Sequence, residues 1–189
     1  MTTTKSDSPL SPEQQEELAL ANARAQKILA ATKVATFNGW TIGTFAAITL
    51  LFALFSRTAL VMGVAMAIVA RNEFRGRGLL RRFDTQGPQL LGRNQVGFMT
   101  LIIGYCVWSM YSALTNPIPQ IEELEAVLGT TADLVTNLTV TVYAVVIVLT
   151  LLFQGLNARY YFARIKLVQR YLEETPAWII DLQRATAAL

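Results

Sequence analysis

The sequence contains no histidine and a single cysteine, Cys106. Without histidine there is no imidazole to act as a base near neutral pH or as the commonest protein ligand for a metal. One cysteine can form neither an intrachain disulfide nor the thiolate cluster of a structural zinc site. These absences exclude most catalytic and metal chemistry. Cys106 lies in an apolar stretch and is predicted to be a packing residue.

Charged residues are also scarce, at 15% of the chain. Soluble domains contain about 25% charged residues. Hydrophobic residues make up 53% of the 189 residues. The charges fall in blocks, and the uncharged stretches between them approach the length of about 20 residues that a helix needs to cross a bilayer. The composition therefore predicts an integral membrane protein and excludes a soluble domain.

Four apolar stretches predict an all-α bundle of four transmembrane helices. The predicted spans are residues 34–56, 57–73, 95–115 and 134–155. The last is rich in β-branched residues, yet it predicts a helix because a lone strand in lipid leaves its backbone groups unpaired. In the second span only residues 58–70 are uncharged, which leaves both a full crossing and a re-entrant hairpin open. Either way the chain returns to its starting side.

The basic residues predict the orientation of the bundle, because cytoplasmic segments of membrane proteins collect Lys and Arg. With four spans, all of the 16 basic residues except Arg57 lie on the side of the two termini. Residues 116–133 carry only acidic charge and are expected to form an extracytoplasmic loop with a short helix. Both termini are therefore predicted to be cytoplasmic in a bacterial-type inner membrane. The first apolar stretch begins too late for a cleavable signal peptide.

Outside the spans, residues 1–10 are expected to be a disordered tail. Residues 11–33 are predicted to form a cytoplasmic amphipathic helix that starts with Ser11 as its cap. Its weak apolar stripe suits a helix lying on its own protein or on lipid headgroups, or a coiled-coil seam between subunits. Residues 156–189 read as a cytoplasmic helical tail that packs on this helix or on another subunit.

Residues 74–94 are predicted to be a cytoplasmic, Arg-rich loop. Near an anionic leaflet each basic residue contributes about 1 kcal/mol of attraction, so the loop is expected to contact anionic headgroups. The alternative is that the loop binds a partner protein. The residues proposed for this contact are Arg75, Arg77, Arg81 and Arg82. No recognition motif for nucleic acid accompanies the charge, so nucleic acid is not expected as a partner.

Small residues recur at intervals of four in the first two spans. Membrane helices associate through close backbone approach and a few polar contacts, because lipid is as apolar as their side chains. The pattern predicts a tight helical hairpin, whose packing residues would be Gly39, Gly43, Ala47, Ala59, Gly63 and Ala67. Interhelical hydrogen bonds are expected from Asn38, Thr44, Asn137 and Thr141.

The sequence predicts no catalytic, cofactor or metal site. It has no phosphate-binding loop and no HExxH motif, and no ionisable residue is placed clearly inside a span. The expected function is that of a non-enzymatic oligomeric scaffold, a membrane-shaping element or an accessory subunit of a membrane complex. The alternative is a homo-oligomeric pore lined by the Thr and Asn faces of the third or fourth span, and signalling through the Arg-rich loop is a weaker third possibility.

Overall fold

The computed structural model describes residues 10–115 and 131–187, and all regular structure in these residues is helical. The described helices are α1 (Pro12–Leu51), α2 (Arg57–Arg81), α3 (Gln86–Thr115), α4 (Thr131–Glu174) and α5 (Ala177–Ala187), and a 3₁₀ turn, Phe52–Leu54, follows α1. The all-α prediction is confirmed. The expected disordered tail falls almost entirely outside the described residues, as does most of the acidic loop 116–133.

Three of the described helices are long and apolar enough to cross a membrane. They are α1 together with its 3₁₀ turn, α3, and residues 134–174 of α4. The second predicted span, residues 57–73, lies in α2, which does not reach the same mean hydropathy. Charged residues occupy the second half of α2, from Arg71 to Arg81, and leave only a short apolar segment before them.

The predicted amphipathic helix 11–33 and the first span 34–56 form one continuous helix. α1 has 40 residues. At a rise of 1.5 Å per residue it is about 60 Å long. The predicted cap is confirmed: Ser11 Oγ accepts a hydrogen bond from Gln14 N at 3.2 Å, and Gln14 Oε1 accepts one from Ser11 N at 3.0 Å. No residue near Lys33 breaks the helix, which ends at Leu51, five residues before the predicted end of the span.

The Arg-rich segment 74–94, predicted to be a loop, is helical except for residues 82–85. Glu73, Gly76 and Leu80 recur at helical spacing and are all buried, so α2 keeps a packed face well beyond the apolar segment. On the other side of the turn, α3 buries Gly87 and Leu91 at the same spacing. Basic residues can lie in a helix when their side chains face outward. Here the burial of Gly76, Leu80, Gly87 and Leu91 favours a helix over a loop.

Phe83 closes the turn between α2 and α3 in a left-handed backbone conformation, with φ of 54°. Asp84 N donates to Leu79 O and Phe83 N donates to Leu80 O, both at 3.0 Å, which is the Schellman arrangement that glycine usually adopts. A side chain in this conformation costs about 1–2 kcal/mol. Burial of a Phe side chain contributes about 1.5–3 kcal/mol. Phe83 is buried and stacks on Tyr171 of α4 at 4.7 Å between ring centroids, so its packing offsets the strain.

One end of the bundle, here called the packed end, resembles the interior of a soluble protein. There the first half of α1, the last part of α4, α5 and the α2–α3 turn share one core. Its most buried members are Ala21, Ala25, Ile28, Ala31, Ala35, Leu80, Phe83, Leu91, Tyr161, Val168, Tyr171 and Ile179. The C-terminal tail, expected to pack on the N-terminal helix or on another subunit, packs on the N-terminal helix of its own chain.

The other end, here called the apolar end, exposes large hydrophobic side chains on every side. Leu54 and Phe55 beyond α1 are each 87% exposed, and Trp108 and Leu114 of α3 are also exposed. α4 exposes a near-continuous apolar surface from Leu134 to Phe153. Such a surface is unfavourable in water, and it is the surface that helices present to lipid tails.

Candidate functional site

The long helices enclose a carboxylate where they meet, that of Glu73 in α2, which is 0% exposed. Oε1 of Glu73 accepts hydrogen bonds from Asn94 Nδ2 at 2.7 Å and from Gln95 Nε2 at 2.9 Å, both in α3. Oε2 accepts a hydrogen bond from the Tyr161 hydroxyl of α4 at 3.3 Å. All three neighbours donate, so the arrangement suits an acceptor that carries negative charge.

A second layer of hydrogen bonds holds these donors in place. Asn38 Nδ2 of α1 donates to the Tyr161 hydroxyl at 3.3 Å. Asn94 Nδ2 also donates to Val69 O at 3.0 Å, and Asn94 Oδ1 accepts from Asn72 Nδ2 at 3.2 Å. The resulting cluster joins α1, α2, α3 and α4. We call it the polar node, and it consists of Asn38, Asn72, Glu73, Asn94, Gln95 and Tyr161.

The polar node has no cationic member. Among the described residues the ion pairs join Arg24 and Arg170 to Glu174, and none reaches Glu73. An isolated carboxylate costs several kcal/mol to bury, and only hydrogen bonds in good geometry offset that cost. The three donors therefore offset part of the cost of burying the Glu73 carboxyl group, and their loss would leave it without hydrogen-bond partners.

The geometry of the polar node is that of an interhelical clamp. Every polar contact of the Glu73 carboxylate is made by a side chain of this chain, and the group is closed to solvent. Residues 10–115 and 131–187 contain no group of three or more Cys, Asp and Glu side chains placed to hold a metal ion. Cys106, predicted to be a packing residue, is buried in α3.

Of the six members of the polar node, the sequence analysis identified only Asn38 as an interhelical contact. The sequence placed no ionisable residue clearly inside a span, and it gave no expectation that Glu73, the last residue of the second predicted span, is buried between helices. Tyr161, which lies in the predicted helical tail 156–189, is 0% exposed. The available signal was the position of Glu73 on the same helix face as Ala70, Gly76 and Leu80.

The expected polar contacts between helices are found in part. Asn38 bonds across to α4, as predicted. Thr44, Asn137 and Thr141 lie instead on exposed faces of α1 and α4, and within the described chain their side chains make no hydrogen bond to another helix.

The predicted hairpin residues lie between α1 and α2 in part, and the two small-residue stripes do not face each other directly. A Cβ built on Gly39 would meet the Phe74 ring at 3.0 Å, and one built on Gly43 would meet the Ala70 Cβ at 3.7 Å. A Cβ built on Gly63 would meet Leu50 Cγ at 2.7 Å. Ala59 and Ala67 are half-buried, and Ala47 is exposed. Glycine is thus matched with a larger side chain on the partner helix.

These contacts predict opposite effects for two alanine substitutions. Gly63→Ala should lower the free energy of unfolding by about 1–3 kcal/mol through overpacking, because the new methyl group would also crowd Leu50 N at 3.2 Å. Gly43→Ala makes an ordinary contact and should be neutral or stabilising by up to about 1 kcal/mol, since alanine favours the helix. Unfolding in mixed micelles measures both. Equal losses for the two variants would contradict this register.

The arginines proposed to contact anionic headgroups lie around the α2–α3 turn. Arg75, Arg81 and Arg82 are exposed and Arg77 is half-buried. None of the four forms an ion pair within the part of the chain described. Arg184 of α5 donates from Nε to the backbone oxygen of Arg82 at 3.1 Å, which leaves the Arg82 guanidinium out of that contact. Headgroup binding by these residues stays a prediction.

No protein-family model matches the chain, and neither a curated protein nor a solved structure matches it. Its function therefore has to follow from its own residues. Two features of the structure bear on the function: the closed polar node and the exposed apolar surface of the long helices.

Proposed function

We propose that the chain is a non-enzymatic, multi-pass protein of a bacterial-type inner membrane that serves as a homo-oligomeric scaffold or as an accessory subunit of a membrane complex. The observation that carries the proposal is a polar stripe on the outer face of α4. Asn137 and Thr141 are both exposed there, one helical turn apart, among exposed Leu134, Leu138 and Val142.

A side-chain amide facing lipid tails has no hydrogen-bond partner, and polar groups in spans usually face protein. Asn137 and Thr141 face outward from their own chain, so a second protein surface is the arrangement that satisfies them. Ala144 continues the stripe on the same face and allows close approach of another backbone. A second copy presents the same stripe, which makes a symmetric contact through α4 the simplest assembly.

The packed end supports the orientation that we propose. The two described terminal regions and the arginines of the α2–α3 turn come together there, so the basic residues share one end of the bundle. α2 connects the far end of α1 to the start of α3, so it has to cross back if α1 and α3 cross. We infer four crossings with both termini cytoplasmic, and the arginines of the turn beside an anionic leaflet.

The orientation predicts the behaviour of reporter fusions. A reporter that is active only in the periplasm should be active when fused after residue 120 and inactive after residues 85 and 189. Paired reporters of opposite specificity provide the control for expression. Activity of the reporter fused after residue 85, or its inactivity after residue 120, would contradict the proposed topology.

The assembly is tested by removing the polar stripe. Interhelical hydrogen bonds in membranes contribute about 0.6 kcal/mol on average and up to about 1.7 kcal/mol. The combined variant Asn137→Leu and Thr141→Val should therefore weaken association about tenfold or more, measured as the mass of the protein in mild detergent at several dilutions. Leu138→Ala, on the adjoining exposed face, is the matched control and should leave the mass unchanged. A wild-type monomer at all concentrations would overturn the oligomeric scaffold.

The same stripe also supports the second candidate, a pore. In a ring of several copies, Asn137 and Thr141 would line a central path instead of a pairwise contact. A pore raises ion flux in reconstituted liposomes, and Thr141→Val should reduce that flux. A scaffold leaves the flux at the level of empty liposomes while the protein still cross-links into discrete oligomers.

A further inference from the structure

The N-terminal end of α1 projects beyond the core of the packed end and carries only acidic charge. The buried residues of that core begin at Ala21, and every side chain from Ser11 to Glu17 is exposed. Residues 11–20 contain no Lys or Arg, and their three acidic side chains are Glu13, Glu16 and Glu17. None of these glutamates forms an ion pair within the described part of the chain.

The next part of α1 forms one wall of a basic groove against α4, with a volume of about 420 Å³. Arg24 and Lys27 of α1 and Arg170 of α4 line the groove together with one carboxylate, that of Glu174. Arg24 and Arg170 both approach Glu174, at 3.4 and 3.9 Å, whereas Lys27 has no ion pair among the described residues. The groove therefore keeps an excess of positive charge.

The acidic end and the groove share one exposed face of α1, here called the self-complementary face. It consists of Glu13, Glu16, Leu20, Arg24 and Lys27, which recur at helical spacing and are all exposed. The spacing is the same in both directions from Leu20, with glutamates four and seven residues before it and cations four and seven residues after it. Two such faces in antiparallel contact match Glu13 with Lys27 and Glu16 with Arg24, on both sides of a central pair of Leu20 side chains.

Local rules of helix stability do not account for this arrangement. Negative charge is favoured at a helix N-terminus only within the first turn, which contains Glu13 but neither Glu16 nor Glu17. Like charges three or four residues apart on a helix repel each other. The separation of acidic from basic residues is therefore unfavourable within a single chain, and a second copy in the opposite direction replaces the repulsion by attraction.

We propose that the self-complementary face binds the same face of a second copy in antiparallel direction, and that this second copy lies in an opposing membrane. The inference rests on the proposed function, in which α1 crosses the membrane with its N-terminus in the cytoplasm. Copies in one membrane have the same orientation, and spans tilt by no more than about 40°. Since α1 is continuous from Pro12 to Leu51, the α1 helices of neighbours in one membrane cannot run antiparallel.

The contact therefore joins two membranes whose cytoplasmic sides face each other. Leu20 lies about 20 Å along α1 from residue 34, where the first predicted span begins, so the two membranes would be about 40 Å apart. Exposed ion pairs are individually weak. Two membranes that each carry many copies add many such contacts, and their adhesion can be strong although one pair of copies separates easily.

The test measures, by light scattering, the clustering of vesicles that carry the full-length protein. The vesicles consist of phosphatidylcholine alone, so that the arginines have no anionic headgroup to bind on a neighbouring vesicle. Wild-type vesicles should cluster at an ionic strength of about 0.1 M and disperse at about 1 M, because the screening length falls from about 10 Å to about 3 Å. Vesicles that stay dispersed at both, or clustered at both, would overturn the proposal.

Two charge-reversed variants test the pairing. Glu13→Lys with Glu16→Lys makes the self-complementary face basic throughout, and Arg24→Glu with Lys27→Glu makes it acidic throughout. Vesicles of either variant alone should lose clustering, and a mixture of the two should regain it. Clustering of either variant alone, or a mixture that stays dispersed, would overturn the proposal.

Ala19→Lys with Gln26→Lys is the matched control, because both positions are exposed on another face of α1. Its vesicles should cluster as the wild type does. All the substituted side chains are exposed, so the thermal unfolding midpoint should stay within a few degrees of the wild-type value in every variant.

The direction of the contact is tested with a short cross-linker for thiols. Cys106 is buried, so an introduced cysteine is the accessible one. Leu20→Cys should cross-link to itself at the centre of the contact. Glu13→Cys should not, since its two thiols lie about 20 Å apart when the helices are antiparallel. Cross-linking of Glu13→Cys to itself would indicate a parallel contact within one membrane and would overturn the proposal.

The test is independent of the contact through α4. Vesicles of the combined variant Asn137→Leu and Thr141→Val should still cluster, because that stripe lies in a predicted span. Failure of clustering would leave the mass of the protein in detergent, and with it the α4 contact, unaffected. Reversed reporter fusions together with intact clustering would overturn the orientation and leave the antiparallel contact between copies.

Discussion

Gly87→Ala is expected to lower the free energy of unfolding by about 1–3 kcal/mol, the cost of overpacking a close contact. A Cβ at this position would lie 2.9 Å from Leu80 N and 3.2 Å from Gly76 O. Both are backbone atoms of α2, so no side chain can rotate to make room. The helices would have to separate next to a turn that spans only residues 82–85. Unfolding in mixed micelles measures the loss.

Gly97→Ala in the same helix is the matched control. No atom lies within 4 Å of a Cβ built there, and the position is exposed. Alanine should therefore be neutral or stabilising by up to about 1 kcal/mol through its helix propensity. Similar destabilisation by both substitutions would show that α3 needs glycine for another reason than its contact with α2.

Asn94→Leu is expected to have the largest effect, a loss of about 3 kcal/mol, the upper end of the cost of leaving buried polar groups without a hydrogen-bond partner. Asn94 Nδ2 donates to Glu73 Oε1 and to Val69 O, and its Oδ1 accepts from Asn72. Leucine has a similar volume but no donor, so the carboxylate would keep only Gln95 and Tyr161. Thermal and denaturant unfolding of the purified protein measure the change.

Asn72→Leu is the matched control, because it removes a side-chain amide that does not contact the Glu73 carboxylate. Asn72 is half-buried and its hydrogen bond goes to Asn94, with no contact to the carboxylate. Its loss should cost about 1 kcal/mol, the usual net value of a hydrogen bond between neutral groups. If Asn94→Leu and Asn72→Leu were equally stable, the hydrogen bond from Asn94 to Glu73 would not stabilise the protein. The interpretation of the polar node as an interhelical clamp would then be wrong.

The helical class and the apolar stretches could be predicted from the sequence because charge marks their limits. The start of α1 was also predicted correctly from Ser11, since a cap is a local pattern. The extension of α2 and α3 beyond their apolar stretches could not be predicted in the same way. Arg75, Arg77 and Arg81 suggest a solvated loop, and only the packing of Gly76 and Leu80 against other helices makes the segment helical.

The polar node was beyond reach of the sequence for a related reason. Glu73 stands between Arg71 and Arg75, where a charge at the membrane interface is the ordinary interpretation. Whether its side chain faces lipid headgroups or the bundle depends on the rotation of α2 relative to α3 and α4. Asn94 and Tyr161, which lie 21 and 88 residues away in the chain, settle that rotation. Asn38 could be anticipated because an amide within an apolar stretch needs a partner wherever it faces.

α1 is one continuous helix from Pro12 to Leu51, so a change in its tilt at one end moves the other end. About half of its length of roughly 60 Å belongs to the packed end. A change of 10° in the tilt of its apolar half would therefore move the far tip by about 5 Å, by simple proportion over an arm of about 30 Å. Helices adjust their tilt to bilayer thickness. Because the first half of α1 is buried in the core of the packed end, thinning or thickening of the membrane would displace the packed end together with it.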